Sequence, residues 1–195
     1  MTALLRPAIA TVGAFTLLLG LAAPLAMTGI AGVVFPHQAG GSLIERGGRV
    51  IGSALIGQNF TAPRYFHPRP SATTETDPQN PGSTRPAPYN AAASAASQAG
   101  PGSAALLETL RARIAKAGPT PVPADAVTAS ASGLDPDISP ENAMRQIPRI
   151  AAARGLPEER IAALVRAAAQ RPELGMLGEA HVNVLRLNLA LDRLP

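Results

Sequence analysis

The chain contains no cysteine and no tryptophan. Without thiols it has no disulfide, no cysteine-ligated zinc and no thiolate nucleophile. Lysine is nearly missing too: Lys116 stands alone against sixteen arginines. Ala117 follows it where a phosphate-binding P-loop needs Ser or Thr, which excludes that motif. No Gly-x-Ser-x-Gly elbow occurs, and His37, His67 and His181 are too far apart in sequence to form a His-x-x-x-His pair. The net charge of +4 is spread along the chain rather than gathered in basic runs, so the footprint of a nucleic-acid binder is missing. Aromatics are scarce, with 4 Phe and 2 Tyr in 195 residues, so a core here is built mainly from aliphatic side chains.

Charge is also absent locally. From Pro7 to Ile44 there is no Asp, Glu, Lys or Arg, and Ala8 to Phe35 is the most apolar part. A membrane-spanning helix needs about 20 such residues. A cleaved signal peptide has an apolar core of about 7–15 residues followed at once by a small-residue site. This run is longer, and the small residues near Ala31 come late, so the sequence predicts an uncleaved anchor over residues 1–40. Pro24 is expected to kink it. Arg6 precedes the span, and the positive-inside rule then places the N-terminus in the cytoplasm and residues 41–195 outside it.

Beyond the anchor the pattern predicts a mixed α/β domain. Arg49 to Phe60 reads as a strand. Residues 74–103 are polar, small and proline-rich, and read as a long loop or mobile linker. Helices are predicted over Ala104 to Lys116, Pro140 to Arg154 and Pro157 to Ala169. The second has Ser139 as N-cap and a break expected at Pro148. Asp125 to Ser132 and His181 to Leu191 alternate like strands, the latter with a bulge near Leu185 and Arg186.

Two stretches invite a functional reading. In "LDPDISPEN", Asp135, Asp137 and Ser139 occupy positions 1, 3 and 5 of a calcium-loop pattern. Pro140 and Gln146 replace its glycine and its glutamate, so a turn leading into a helix cap is the preferred reading, with Asp135 and Asp137 kept as weak metal candidates. The second stretch is "QNFTAPRYFHPRPSAT", Gln58 to Thr73, which gathers three of the six aromatics with three prolines and two arginines. Prolines exclude a regular helix or central strand here. Asn59, Phe60, Arg64, Tyr65, Phe66 and Arg69 are therefore candidate partner contacts, because aromatic and arginine side chains concentrate interface energy. For each ring the alternative is a place in the domain's own core.

The segments "FPHQAGGSLI", "IGSALIGQNFTAPRYFHPRPSA", "VPADAVTASASGLDPDISPENAMRQIPRIAAARGL" and "VNVLRLNLALD" together resemble the KdpC family, a subunit of the potassium-transporting Kdp ATPase. The resemblance implies a non-hydrolytic accessory subunit in an inner-membrane complex. Its expected partners are a potassium-carrier subunit, a P-type ATPase subunit and a small single-helix subunit, in a complex that imports potassium at the expense of ATP. It also implies a catalytic chaperone that raises the ATP affinity of the ATPase subunit, with Gln58 at the position implicated in nucleotide contact. No tightly bound cofactor is expected; ATP would be shared with the ATPase subunit. The topology read from Arg6 places Gln58 outside the cytoplasm, which favours external docking over nucleotide contact. The remaining alternative is an independent membrane-anchored binding module centred on Asp135 and Asp137.

Overall fold

A computed structural model describes residues 2–118 and 121–194. The chain divides into two compact units, Met1–Ile51 and Gly52–Pro195.

The first unit is dominated by a helical rod: α1 (Thr2–Leu17), a π-helical turn (Leu18–Ala22) and α2 (Ala23–Val34). The π turn precedes Pro24, whose ring would crowd the carbonyl four residues back. Widening the turn there relieves the clash without ending the helix. Ala3–Val34 is 32 residues with a mean hydropathy of 2.1, and none of its most apolar stretch is buried in protein. At 1.5 Å per residue it is about 48 Å long, enough to cross a hydrocarbon layer of about 30 Å with tilt. A short α3 (Pro36–Ala39) and β1 (Leu43–Arg46) follow. Gly47 and Gly48, both at positive φ (61° and 74°), form the two-residue turn that pairs β1 with β2 (Arg49–Ser53). That turn type needs positive φ at both places, which glycine adopts without strain.

The second unit is helical with small β elements. Its elements are β3 (Thr74–Thr76), β4 (Thr84–Pro86), α4 (Ala104–Ala117), α5 (Ala124–Val127), β5 (Asp137–Ile138), α6 (Pro140–Arg154), α7 (Glu158–Ala168), β6 (Val182–Asn183) and α8 (Val184–Leu191). The sheets are two-stranded and separate; β3 pairs antiparallel with β4, and β5 with β6. Helices α6, α7 and α8 pack in sequence around a core that includes Ile150, Ile161, Val165, Leu187 and Leu191. Ser139 caps α6 by accepting from the Asn142 N–H, and Gly155 ends it at φ 66°.

The structure corrects several sequence expectations. The strand from Arg49 ends at Ser53, because a Ser53–Ile56 bridge turns the chain and Gly57 N–H donates to the Leu134 carbonyl. Asp125 to Ser132 is not a strand: α5 occupies its start, where the Asp125 carboxylate is held by Ser139 and Asn142. His181 to Leu191 is a two-residue strand running into α8, not a bulged strand. Asn183 makes the switch by capping the helix, its Oδ1 accepting from Arg186 N–H. Helix α6 runs through Pro148 as one element, with that proline on its exposed side. Within residues 74–103, the β3–β4 pair and the Glu75–Arg85 ion pair order part of the expected loop.

Candidate functional site

Among the described residues the proline-rich segment from Gln58 to Thr73 has no strand partner, so its backbone polar groups must be satisfied in another way. Side chains from α6 and α8 supply the answer. Five consecutive carbonyls, Pro63 to His67, each accept a hydrogen bond from such a side chain. Arg149 donates to Pro63 O at 2.5 Å and to Tyr65 O at 3.0 Å. Arg154 donates to Arg64 O at 2.8 Å. Asn188 Nδ2 donates to Phe66 O at 3.0 Å, and Gln146 Nε2 to His67 O at 3.1 Å. The two amides also accept: Asn188 Oδ1 from Phe66 N–H at 2.8 Å, and Gln146 Oε1 from His67 N–H at 2.7 Å. Each buried amide thus reads one residue's backbone as a neighbouring strand would.

A second set of contacts fixes Tyr65. Its hydroxyl donates to Asp192 Oδ2 at 3.1 Å, and Arg154 Nη2 pairs with Asp192 Oδ1 at 2.7 Å. The Arg154 guanidinium lies 5.1 Å from the Tyr65 ring centroid, and that of Arg64 lies 5.5 Å from it on the same ring. Phe60 packs 5.6 Å from Tyr65, centroid to centroid, and rests against the core.

These contacts sort the sequence candidates. Phe66 is wholly buried, so it is a core residue and its ring offers nothing to a partner. A chain this poor in aromatics uses one of its few rings, the largest of its fully buried side chains, in the α6–α7–α8 core. Phe60 and Tyr65 are half-buried. Asn59 and Arg64 are exposed, as are Thr61 to Pro63. Arg69 is drawn inward: Nη1 pairs with Asp135 Oδ2 at 2.6 Å and Nη2 reaches Thr128 Oγ1 at 3.5 Å. Tyr89 donates its hydroxyl to Arg69 O at 2.8 Å, and burial pushes that phenol's pKa far above its ordinary value. Gln58 is half-buried, with its amide over Gly52 beside Leu185; a Cβ at Gly52 would collide with both.

Asp135 and Asp137 do not converge as a cation cage. Asp135 serves Arg69 with one oxygen and caps the Asp137 N–H with the other at 3.0 Å. Asp137 Oδ1 accepts from Asn183 Nδ2 at 3.1 Å, and its other oxygen lies 4.0 Å from His181 Nε2. Burial raises the Asp137 pKa, opposed by the Asn183 hydrogen bond. Among the described residues no group of three or more His, Cys, Asp or Glu side chains is placed to hold a metal.

Gln146, Arg149, Arg154, Asn188 and Asp192 were not singled out from sequence. A signal was present for two of them. Gln146 and Asn188 are polar residues on helix faces that otherwise carry buried aliphatics, where an unpaired amide is costly.

A family model described as "KdpC: K+-transporting ATPase, c chain" matches residues 5–193. A potassium-transporting ATPase KdpC subunit from Methylorubrum populi is 57% identical over 194 residues, covering 97% of this chain and 96% of that protein. The corresponding subunit from Methylobacterium nodulans is 59% identical over 194 residues, with the same coverage of 97% and 96%. That of Rhodopseudomonas palustris is 59% identical over 192 residues, 96% of each chain. Matches of this length and identity leave no large part of the chain outside the likeness: it belongs to the KdpC family of K+-transporting ATPase c chains.

Proposed function

We propose that this chain is the non-hydrolytic accessory subunit of a Kdp-type potassium importer, held in the inner membrane by α1–α2 with its second unit outside the cytoplasm. Its partners in this reading are the potassium-carrier subunit, the P-type ATPase subunit and a small single-helix subunit. The relatives carry the name of a potassium-transporting ATPase subunit, and one apolar rod followed in sequence by a folded domain suits an assembly role. The docking element is the exposed rim of the proline-rich segment, from Asn59 through Arg64. The observation that carries this choice is the clamp on five carbonyls from Pro63 to His67, which fixes the C-terminal end of that rim. A preorganised surface loses little conformational entropy on binding.

Co-purification of the complex tests the docking. Asn59→Arg combined with Arg64→Glu should strip the chain from its partners while leaving its own thermal unfolding unchanged. Full assembly by that variant would overturn the docking reading. An accessibility label at Tyr89 to Ser97 tests the sidedness, and labelling only from the cytoplasm would refute the external placement.

A second reading follows from the family resemblance: nucleotide contact at Gln58, raising the ATP affinity of the ATPase subunit. Gln58→Ala would then weaken the ATP dependence of the complex without disturbing assembly. An unchanged ATP dependence would count against it.

A further inference from the structure

The proline-rich segment, α4 and α6 line a cleft of about 680 Å³. Five basic side chains line it: Arg69 from the loop, Arg113 and Lys116 from α4, and Arg145 and Arg149 from α6. Among the described residues no Asp or Glu lines it. This is an unusual concentration in a chain with a net charge of only +4.

Among the described residues most of these charges have no carboxylate within ion-pair distance; Arg69 alone has one, Asp135. Arg113 donates to Val127 O at 2.7 Å, Arg145 to Ala117 O at 2.6 Å and Arg149 to the loop carbonyls; these bonds satisfy donors but leave the charges standing. Arg145 and Arg149 are four residues apart on one helix face, where like charges repel. Burial and the proximity of Arg145 together lower the Arg149 pKa. The Arg145 Nε is buried with no hydrogen-bond partner among the described residues. Asp125, near the foot of α6, is already committed to Ser139 and Asn142. Asp125, Glu141 and Glu179 line a neighbouring hollow that shares Arg69 and Arg145 with the cleft, so Arg113, Lys116 and Arg149 are the cations that face the cleft alone.

Clustered cations in a partly desolvated cleft cost stability unless an anion offsets them. Arginine forks set around a concave space match the oxygens of a tetrahedral oxyanion, and a volume of this order suits a small ligand. We propose that the cleft between α4, α6 and the proline-rich segment binds a phosphate-class anion, free or carried on a small organic molecule, through Arg113, Lys116, Arg145 and Arg149. Asn59, Thr61 and Asn142 line the same space and add neutral hydrogen-bonding groups. Gln58 does not line it, so this site is distinct from a nucleotide contact at that glutamine.

The test uses the full-length chain in a neutral detergent at low ionic strength, titrated by calorimetry. Three probes separate the sources of the phosphate group: inorganic phosphate, ATP, and a short-chain phosphatidylglycerol compared with the matching phosphatidylcholine. Lys116→Glu is the informative variant, because Lys116 is exposed and holds no other element in place among the described residues. Arg171→Glu, an exposed charge outside the cleft, is the matched control. Saturable binding of any of the three phosphate-bearing probes, weakened about tenfold by Lys116→Glu and unchanged by Arg171→Glu, supports the site and names its ligand source. Equal weakening by both variants would show only a general charge effect and overturn it. Failure of all three probes to bind the unmodified chain would overturn it as well.

Discussion

Asn188 grips Phe66 by both of its backbone polar groups, accepting from the N–H at 2.8 Å and donating to the carbonyl at 3.0 Å. A helix side chain thus stands in for the strand that a proline-rich segment cannot recruit. Phe66 is thereby committed to the core, and the residues on either side of it are aimed.

Replacing Asn188 with Leu keeps the volume and removes both bonds. Two backbone groups buried around Phe66 then go unpaired, at a cost of about 2–4 kcal/mol. Thermal unfolding of the full chain in detergent should show the loss.

Arg154 and Asp192 form an ion pair with side-chain exposures of 9% and 21%, whereas Arg85 and Glu75 form one at 53% and 41%. Asp192→Ala leaves Arg154 poorly solvated and Tyr65 without its acceptor. The expected loss is about 1–3 kcal/mol. Glu75→Gln, at an exposed pair, should cost less than about 0.5 kcal/mol. Comparable losses at the two sites by thermal unfolding would contradict the burial argument.

Gly57 is buried, and a Cβ there would strike the Tyr89 ring and lie 2.7 Å from the Asp135 carbonyl. The backbone oxygen cannot move without disturbing the Arg69–Asp135 pair. Gly57→Ala should therefore destabilise the domain by about 1–3 kcal/mol. It should also change the near-ultraviolet circular dichroism of Tyr89.

His67 has its pKa lowered below 6.5, chiefly by burial; the Arg149 charge adds to this, while its hydrogen bond to Ala62 O works the other way. The folded chain resists the proton that the unfolded chain accepts. Stability from this residue is present above pH 6.5 and is lost as the pH falls through the folded value. His67→Gln should flatten the unfolding curve across that interval. An unchanged slope would remove His67 as its source.

The legible parts of the sequence were those governed by local rules. The apolar run from Ala8 to Phe35, helical as far as Val34, could be read from length and the absence of charge alone. The helices α4, α6 and α7 followed from apolar spacing, and Ser139, Pro140 and Gly155 marked the ends of α6. The stretch from His181 to Leu191 misled because its short apolar run fits both periods, and Asn183 as a helix cap was the overlooked signal. The candidate site was half legible. The aromatic and proline content of Gln58 to Thr73 identified the segment, but not which ring would be buried.

Covalent sequence by itself settled that this protein has a long uncharged apolar run after Arg6, no thiol chemistry, no P-loop, and a proline-rich segment unable to join a sheet, because each depends on residue type and near neighbours. Tertiary structure alone decided that Phe66 faces inward, that Gln146 and Asn188 supply the missing backbone partners, and that Arg113, Lys116, Arg145 and Arg149 share one cleft. Those outcomes join residues as far as 122 positions apart, as the Phe66 backbone and the Asn188 side chain are. Their energies come from burial and pairing that exist only once α4, α6 and α8 have closed around the loop.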